Sequence, residues 1–188
     1  MLLVHSGNRI DLAGRRVARF PSTQEPIVRA RVAKVLDALR PSDVVSAAAA
    51  GADLIVLEES IHRGIGTHVV LPIALDEFVS RSVTDAGPEW VMLFNAVVDA
   101  VSRARGCSLT QGDAAPGHEW YLAGHDQLLR RAEVVADGGS IVALTIRPPE
   151  GEAPPSVTDN FASRAEHLGL LVLTIDPRPA STATVIVG

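Results

Sequence analysis

The sequence predicts a three-layer α/β fold, a mostly parallel central sheet flanked by helices, and three observations lead there. Short runs rich in Val, Ile and Leu alternate with longer stretches whose apolar residues recur at three and four, the patterns of strand and helix. The plainest runs, Ser140–Ile146 and Leu170–Ile175, are nearly unbroken in apolar side chains, as expected of strands buried on both sheet faces. Between Val44 and Pro72 a strand, a turn of small residues, a helix and a second strand follow one another, which is the repeating unit of a parallel sheet.

Residues 1–5 read as the first strand, and Ser6–Arg15 as a polar, glycine-punctuated loop at its carboxyl end, where open parallel sheets hold ligands. Pro26 suits the first turn of a helix carrying Ile27, Ala30, Val32, Val35, Leu36 and Leu39 inward. Pro41-Ser42-Asp43 turns the chain into the strand at Val44-Val45, the helix after Gly51 runs to Gly64, and Thr67–Pro72 is the next buried strand. Ala74–Val79 begins a helix. A longer one runs from Glu89 through Trp90, Leu93, Phe94, Val97, Val98 and Val101 to Arg105, and both should cover one sheet face. Cys107–Thr110 is a weak strand, Gln111–Gly117 a small-residue loop, and His118–Ala136 a helix stopped by Gly138-Gly139. The Pro-rich loop Arg147–Ser156 leads into a helix over Thr158–His167, and Ala183–Val187 adds an edge strand or docks. Right-handed crossovers bring the loops after Val4, Val45, Leu71 and Ile146 to one edge.

Chemistry is expected at the bend after Val45. Ser46 through Ala50 carry nothing larger than a hydroxymethyl group, and Gly51 follows. A bend without bulk lets a ligand reach the backbone, and the free amides of the succeeding helix form an anion site. Ser46, Ala47, Gly51 and Ala52 are therefore expected to line a site for a nucleotide-like or phosphate-bearing ligand. Asp53 would repel phosphate, so a ribose hydroxyl is its expected partner. From the first loop, Gly7, Asn8, Arg9 and Asp11 are placed to meet base or ribose, with Arg9 the bidentate partner of phosphate and Arg19 a second candidate. The competing reading is a tight strand-to-helix turn packed on its neighbours, with Asp53 stabilising the first helical turn.

Composition narrows the partners. With 188 residues, 47% of them hydrophobic, the chain can bury one substantial core, and a single domain over residues 1–188 is expected. A net charge of −5, with no Lys/Arg cluster outside Arg9–Arg19, argues against a nucleic-acid-binding face and leaves small molecules or proteins. No apolar run approaches the ~20 residues that span a bilayer. Met1–Val4 is too short, and too soon broken by His5, for a signal peptide, so a cytoplasmic location without membrane contact is expected. The single cysteine, Cys107, cannot form an internal disulfide and reads as a small buried hydrophobe. The six histidines form no H-x-x-x-H or Cys/His cluster, so neither a metal nor another cofactor is indicated. His118 and His125 read as packing or surface residues, with His125-Asp126 beside Gly124 a candidate lining of the cleft. No serine stands in a G-x-S-x-G context, which argues against acyl transfer.

Three blocks carry a family likeness: G-N-R-I-D with the following G-R and R-F-P (Gly7–Pro21), S-A-A-A-A-G-A-D-L-I-V-L-E (Ser46–Glu58), and H-V-V-L-P-I-A-L-D-E-F-V (His68–Val79). In order and spacing they resemble the SLOG superfamily, Rossmann-like domains that include the Lonely Guy phosphoribohydrolases and ligand-sensing domains of bacterial signalling systems. The branch found beside tetratricopeptide repeats and nucleotidyl cyclases is the most similar. The likeness covers most of the first 85 residues and extends only loosely into the second half. It implies a nucleotide-derived ligand held between the first loop and the helix near Gly51, a sensor or signalling role passed to a separate effector protein, and a homodimer for which the Glu89–Arg105 helix has enough apolar surface. Glu58 aligns with a family glutamate, which implies a ligand or subunit contact, whereas Glu59 reads as solvated helix charge. The alternative is a nucleotide-hydrolysing enzyme in which Arg9, Asp53 or Glu58 acts on the reacting groups. Hydrolysis in the family accompanies P-G-G-x-G-T-x-x-E. Here the nearest string, Arg63-Gly64-Ile65-Gly66-Thr67, lacks the proline and the glutamate, and Asn8 stands where the branch carries a histidine.

Overall fold

The computed structural model describes residues 1–112, 120–149 and 153–179, with the backbone strand at 185–187. Its strands are β1 (Leu2–Gly7), β2 (Asp43–Ser46), β3 (Gly66–Leu71), β4 (Ser108–Gln111), β5 (Ile141–Ile146), β6 (Leu171–Ile175) and β7 (Val185–Val187). Its α-helices are α1 (Glu25–Leu39), α2 (Ala52–His62), α3 (Leu75–Ser82), α4 (Pro88–Arg103), α5 (Trp120–Ala136) and α6 (Val157–His167). The sheet order is β4-β3-β2-β1-β5-β6-β7, with β1 to β6 parallel and β7 antiparallel to β6. This is the predicted three-layer, Rossmann-like α/β architecture, and 185–187 takes the edge-strand option.

Alternation along the strands explains the two cores. Leu3, Val44, Val69 and Leu144 point to one face, against Val32 and Leu36 of α1, Leu54 and Leu57 of α2, and Phe94 and Val97 of α4. Leu2, Val4, Val45 and Ala143 point to the other, against Leu128 and Ala132 of α5 and Phe161 and Ala165 of α6. Each Val, Leu or Phe among these, fully buried, stabilises the fold by about 1.5–3 kcal/mol. Because α1 and α6 leave neighbouring strands β1 and β5 for opposite faces, the sheet has its topological switch between those two strands, where ligand crevices form.

Several local expectations are corrected. β1 runs two residues further than predicted, because pairing with β5 continues through Ser6–Thr145 and Gly7–Ile146. In α1, Ala30 is exposed, while Val28 and Arg31 are buried. Arg31 Nη1 donates to the carbonyls of Asp176 and Arg178, so a charged side chain fills an inward position by satisfying the chain beyond β6. The helix at Ala74–Val79 does not act mainly as a sheet cover: Phe78 of α3 stacks on Phe94 of α4 (ring centroids 6.4 Å) and meets Trp120 of α5 edge-on at 6.2 Å. Gln111 ends β4 instead of opening a loop, and the Gly112 amide donates to the Leu71 carbonyl at 2.7 Å; residues 113–117 of that loop, and the expected helix start at His118, lie outside the described residues.

Candidate functional site

A cavity of about 190 Å³ lies over the carboxyl ends of β1, β2 and β3, walled by α3, α5 and the start of α6. Of the residues predicted for the site, Gly7, Asn8, Arg9, Ala47 and Asp53 line it. Its floor is tied together by Asp53, whose carboxylate is almost completely buried. Oδ1 accepts the Gly7 amide at 3.1 Å and Oδ2 the Ala49 amide at 3.3 Å. Beneath it, fully buried His5 donates Nδ1–H to the Leu144 carbonyl at 2.9 Å, and its Nε2 lies 3.3 Å from Asp53 Oδ1, an ion pair whenever the ring carries both protons.

The bend itself is not the open anion cradle that its small residues suggested. The Ala49 amide goes to Asp53, the Ala50 amide to the Ser82 carbonyl at 2.9 Å, and the Ala52 amide to the Asn8 carbonyl at 3.2 Å. Arg9 and Gly51 form an antiparallel bridge, and Ile10 N–H donates to the Ala50 carbonyl. Gly51 is needed for this crossing: its φ is +120°, and a Cβ there would lie 2.4 Å from the Ile10 nitrogen. Gly7 answers a second close approach, since its Cβ would lie 2.3 Å from that of Ala52. Small residues at the bend therefore admit the protein's own first loop, and Ser46, Gly51 and Ala52 sit behind the floor without lining the cavity.

Three charged candidates are also reassigned. Arg9 lines the cavity but pairs with Asp85 and donates to the Arg81 carbonyl at 3.2 Å, which anchors the first loop to the α3 region. Asp11 staples its own loop: Oδ2 accepts the amides of Arg19 and Phe20 at 2.7 and 2.9 Å, and Oδ1 faces Arg15 at 3.2 Å. Glu58 is paired with Arg29, joining α2 to α1 outside the cavity.

Two clusters give the cavity its character. One is cationic and donor-rich: Arg15 and Arg19 line it beside Ser156, Val157 and Thr158 at the start of α6. There Ser156 and Asp159 form a reciprocal capping box, leaving the first-turn amides of Val157 and Thr158 as donors outside the helical ladder. Burial, and then the neighbouring Arg15 charge, lowers the pKa of Arg19. Burial opposes charge on Asp159, but its bonds from Ser156 and the Arg147 charge outweigh that and hold the carboxyl below its usual range. Asn8 joins this cluster, its Oδ1 accepting from Thr158 Oγ1 at 3.2 Å, while its buried Nδ2 has no partner among the described residues.

The other cluster is aromatic and apolar: Phe78, Trp120, Tyr121, Val70 and Leu128, with Trp120 and Tyr121 stacked at 3.7 Å. His125 lies along the same wall, bonded through Nδ1 to Asn160 Oδ1 at 3.2 Å, and burial lowers its pKa, so the ring is neutral at physiological pH. The His125 expectation thus finds it at the cleft. Phe78, Trp120, Tyr121, Ser156 and Thr158 were not among the predicted site residues. The Ser156-to-Asp159 capping spacing was a readable signal for the α6 end. The aromatic wall had none, since packing across the sheet edge assembles it. Among the described residues, no three His, Cys, Asp or Glu side chains cluster as a metal site, and no helix is long and apolar enough to cross a membrane. The chain matches no family model and no curated protein.

Proposed function

We propose that the cavity binds a nucleotide or nucleotide-derived small molecule, and that the domain is a SLOG-like ligand sensor reporting occupancy to a partner protein or to a second copy of itself. One observation carries this reading: an aromatic wall and a cluster of Arg15, Arg19 and helix-start amides face the same space at the carboxyl edge of a parallel sheet. The wall suits the flat face of a base, and the cationic cluster suits phosphate oxygens. Binding without chemistry is favoured over hydrolysis by the state of the two candidate carboxylates. Both oxygens of Asp53 accept backbone amides, and Glu58 lies outside the cavity.

Isothermal titration with AMP, ADP, cyclic AMP and ADP-ribose tests the proposal. At least one is expected to bind, and Arg19→Ala and Tyr121→Ala each weaken that binding by about tenfold or more. No heat with any of them at millimolar concentration overturns it. Release of free base from the same nucleotides would restore the hydrolase alternative.

A further inference from the structure

A second cavity, of about 180 Å³, adjoins the first, and the two share Asn8, Arg19 and Ser156 as their common wall. Each is smaller than the ~300 Å³ at the low end of small-molecule sites, whereas together they fall within that range. The second space is polar where the first is aromatic: Arg147, Asp159, Ser163 and Glu166 line it.

The shared wall holds an unanswered donor. Asn8 is only 6% exposed, and while its Oδ1 is used by Thr158, its Nδ2 is buried without a partner among the described residues. A buried amide N–H₂ left unpaired is unfavourable, and an acceptor at that position would relieve it. Arg19 stands at the same boundary, its Nη2 donating to the Pro154 and Pro155 carbonyls at 2.8 and 3.1 Å. Beyond it, Arg147 pairs with Asp159 and also has a buried Nε without a partner among the described residues.

Resting on the nucleotide reading of the first cavity, we infer that the ligand has two parts: an aromatic nucleoside in the first space, and a second, hydroxyl-rich group in the other, joined by a diphosphate that crosses at Asn8 and Arg19. The diphosphate oxygens answer the Asn8 amide, the Arg19 guanidinium and the α6 amides. The hydroxyls of the second group meet the Arg147–Asp159 pair, which offers both donors and acceptors, as a sugar requires and a bare phosphate does not.

Titrating the protein with AMP, ADP and ADP-ribose tests the inference, since ADP supplies the diphosphate without the second group. ADP-ribose is expected to bind about tenfold or more tightly than ADP. Ser163→Trp, on the exposed side of α6 one turn after Asp159, fills the second space, and should bring ADP-ribose to within about twofold of ADP while AMP binding is unchanged. Arg147→Ala should likewise narrow the gap between ADP-ribose and ADP, with its melting temperature measured alongside because it also frees Asp159. If AMP binds but ADP-ribose gains nothing over ADP, or if the gain survives Ser163→Trp, the two-part ligand is refuted and the nucleotide site stands. If none of the three binds, both fall.

Discussion

The Gly7 amide donates to Asp53 Oδ1 at 3.1 Å, tying the last residue of β1 to the first turn of α2. With the Ala49 amide on the other oxygen, one buried carboxylate organises the strand end and the bend together. Asp53→Asn keeps the size but turns one acceptor into a donor facing an amide. It should destabilise the protein by about 1–3 kcal/mol, read as a fall in Tm of about 2–4 °C per kcal/mol at this chain length. A melting curve that matches the parent protein's would contradict this role.

Gly51 holds a backbone conformation that side chains rarely adopt, directly beneath the Ile10 nitrogen. Gly51→Ala should cost about 1–3 kcal/mol in backbone strain alone, with the clash adding to it. Urea unfolding reports this as a lower midpoint, and an unshifted midpoint would show that the loop crossing is not required.

His125 makes stability depend on pH in a defined direction. Burial lowers its pKa, so between the folded value and the unfolded ~6.5 the unfolded chain binds the extra proton. Stability therefore falls as pH drops below ~6.5. Asp159 and Asp176, whose folded values are lowered, lose their contribution only at more acidic pH, below the usual ~3.9. Melting between pH 7.5 and 5.5 should show a decline that His125→Gln makes shallower; equal declines would remove His125 as the cause.

Glu58 supplies the opposite kind of prediction. Its partner Arg29 and its own side chain are partly exposed, a setting in which an ion pair contributes at most about 1 kcal/mol. Glu58→Gln should leave nucleotide affinity within about twofold and shift stability by no more than that amount. A large loss of affinity in titration would return Glu58 to the site.

The architecture was legible because strand and helix periods are local: β5 and β6 announce themselves in apolar runs, and α4 in its Trp90, Phe94, Val97 and Val101 spacing. The site was half legible. Gly7, Asn8, Arg9, Ala47 and Asp53 were placed at this edge because they lie at or after strand ends, and they line the cavity, but the contacts that occupy Arg9 and Asp53 were not readable. Small side chains are needed equally by an incoming ligand and by an incoming loop, and only the fold shows that Arg9 and Ile10 occupy the space above Gly51. Arg31 escaped for a related reason, since its partners are carbonyls about 145 residues away.

Since the stretch from Asn8 to Ile10 is stitched to Ala50 and Ala52, it travels with α2 as one piece. Across the cavity Phe78 and Trp120 are themselves buried and packed edge-on, so both banks rest on the chain's own contacts and a guest arriving from solvent meets a foundation already cast.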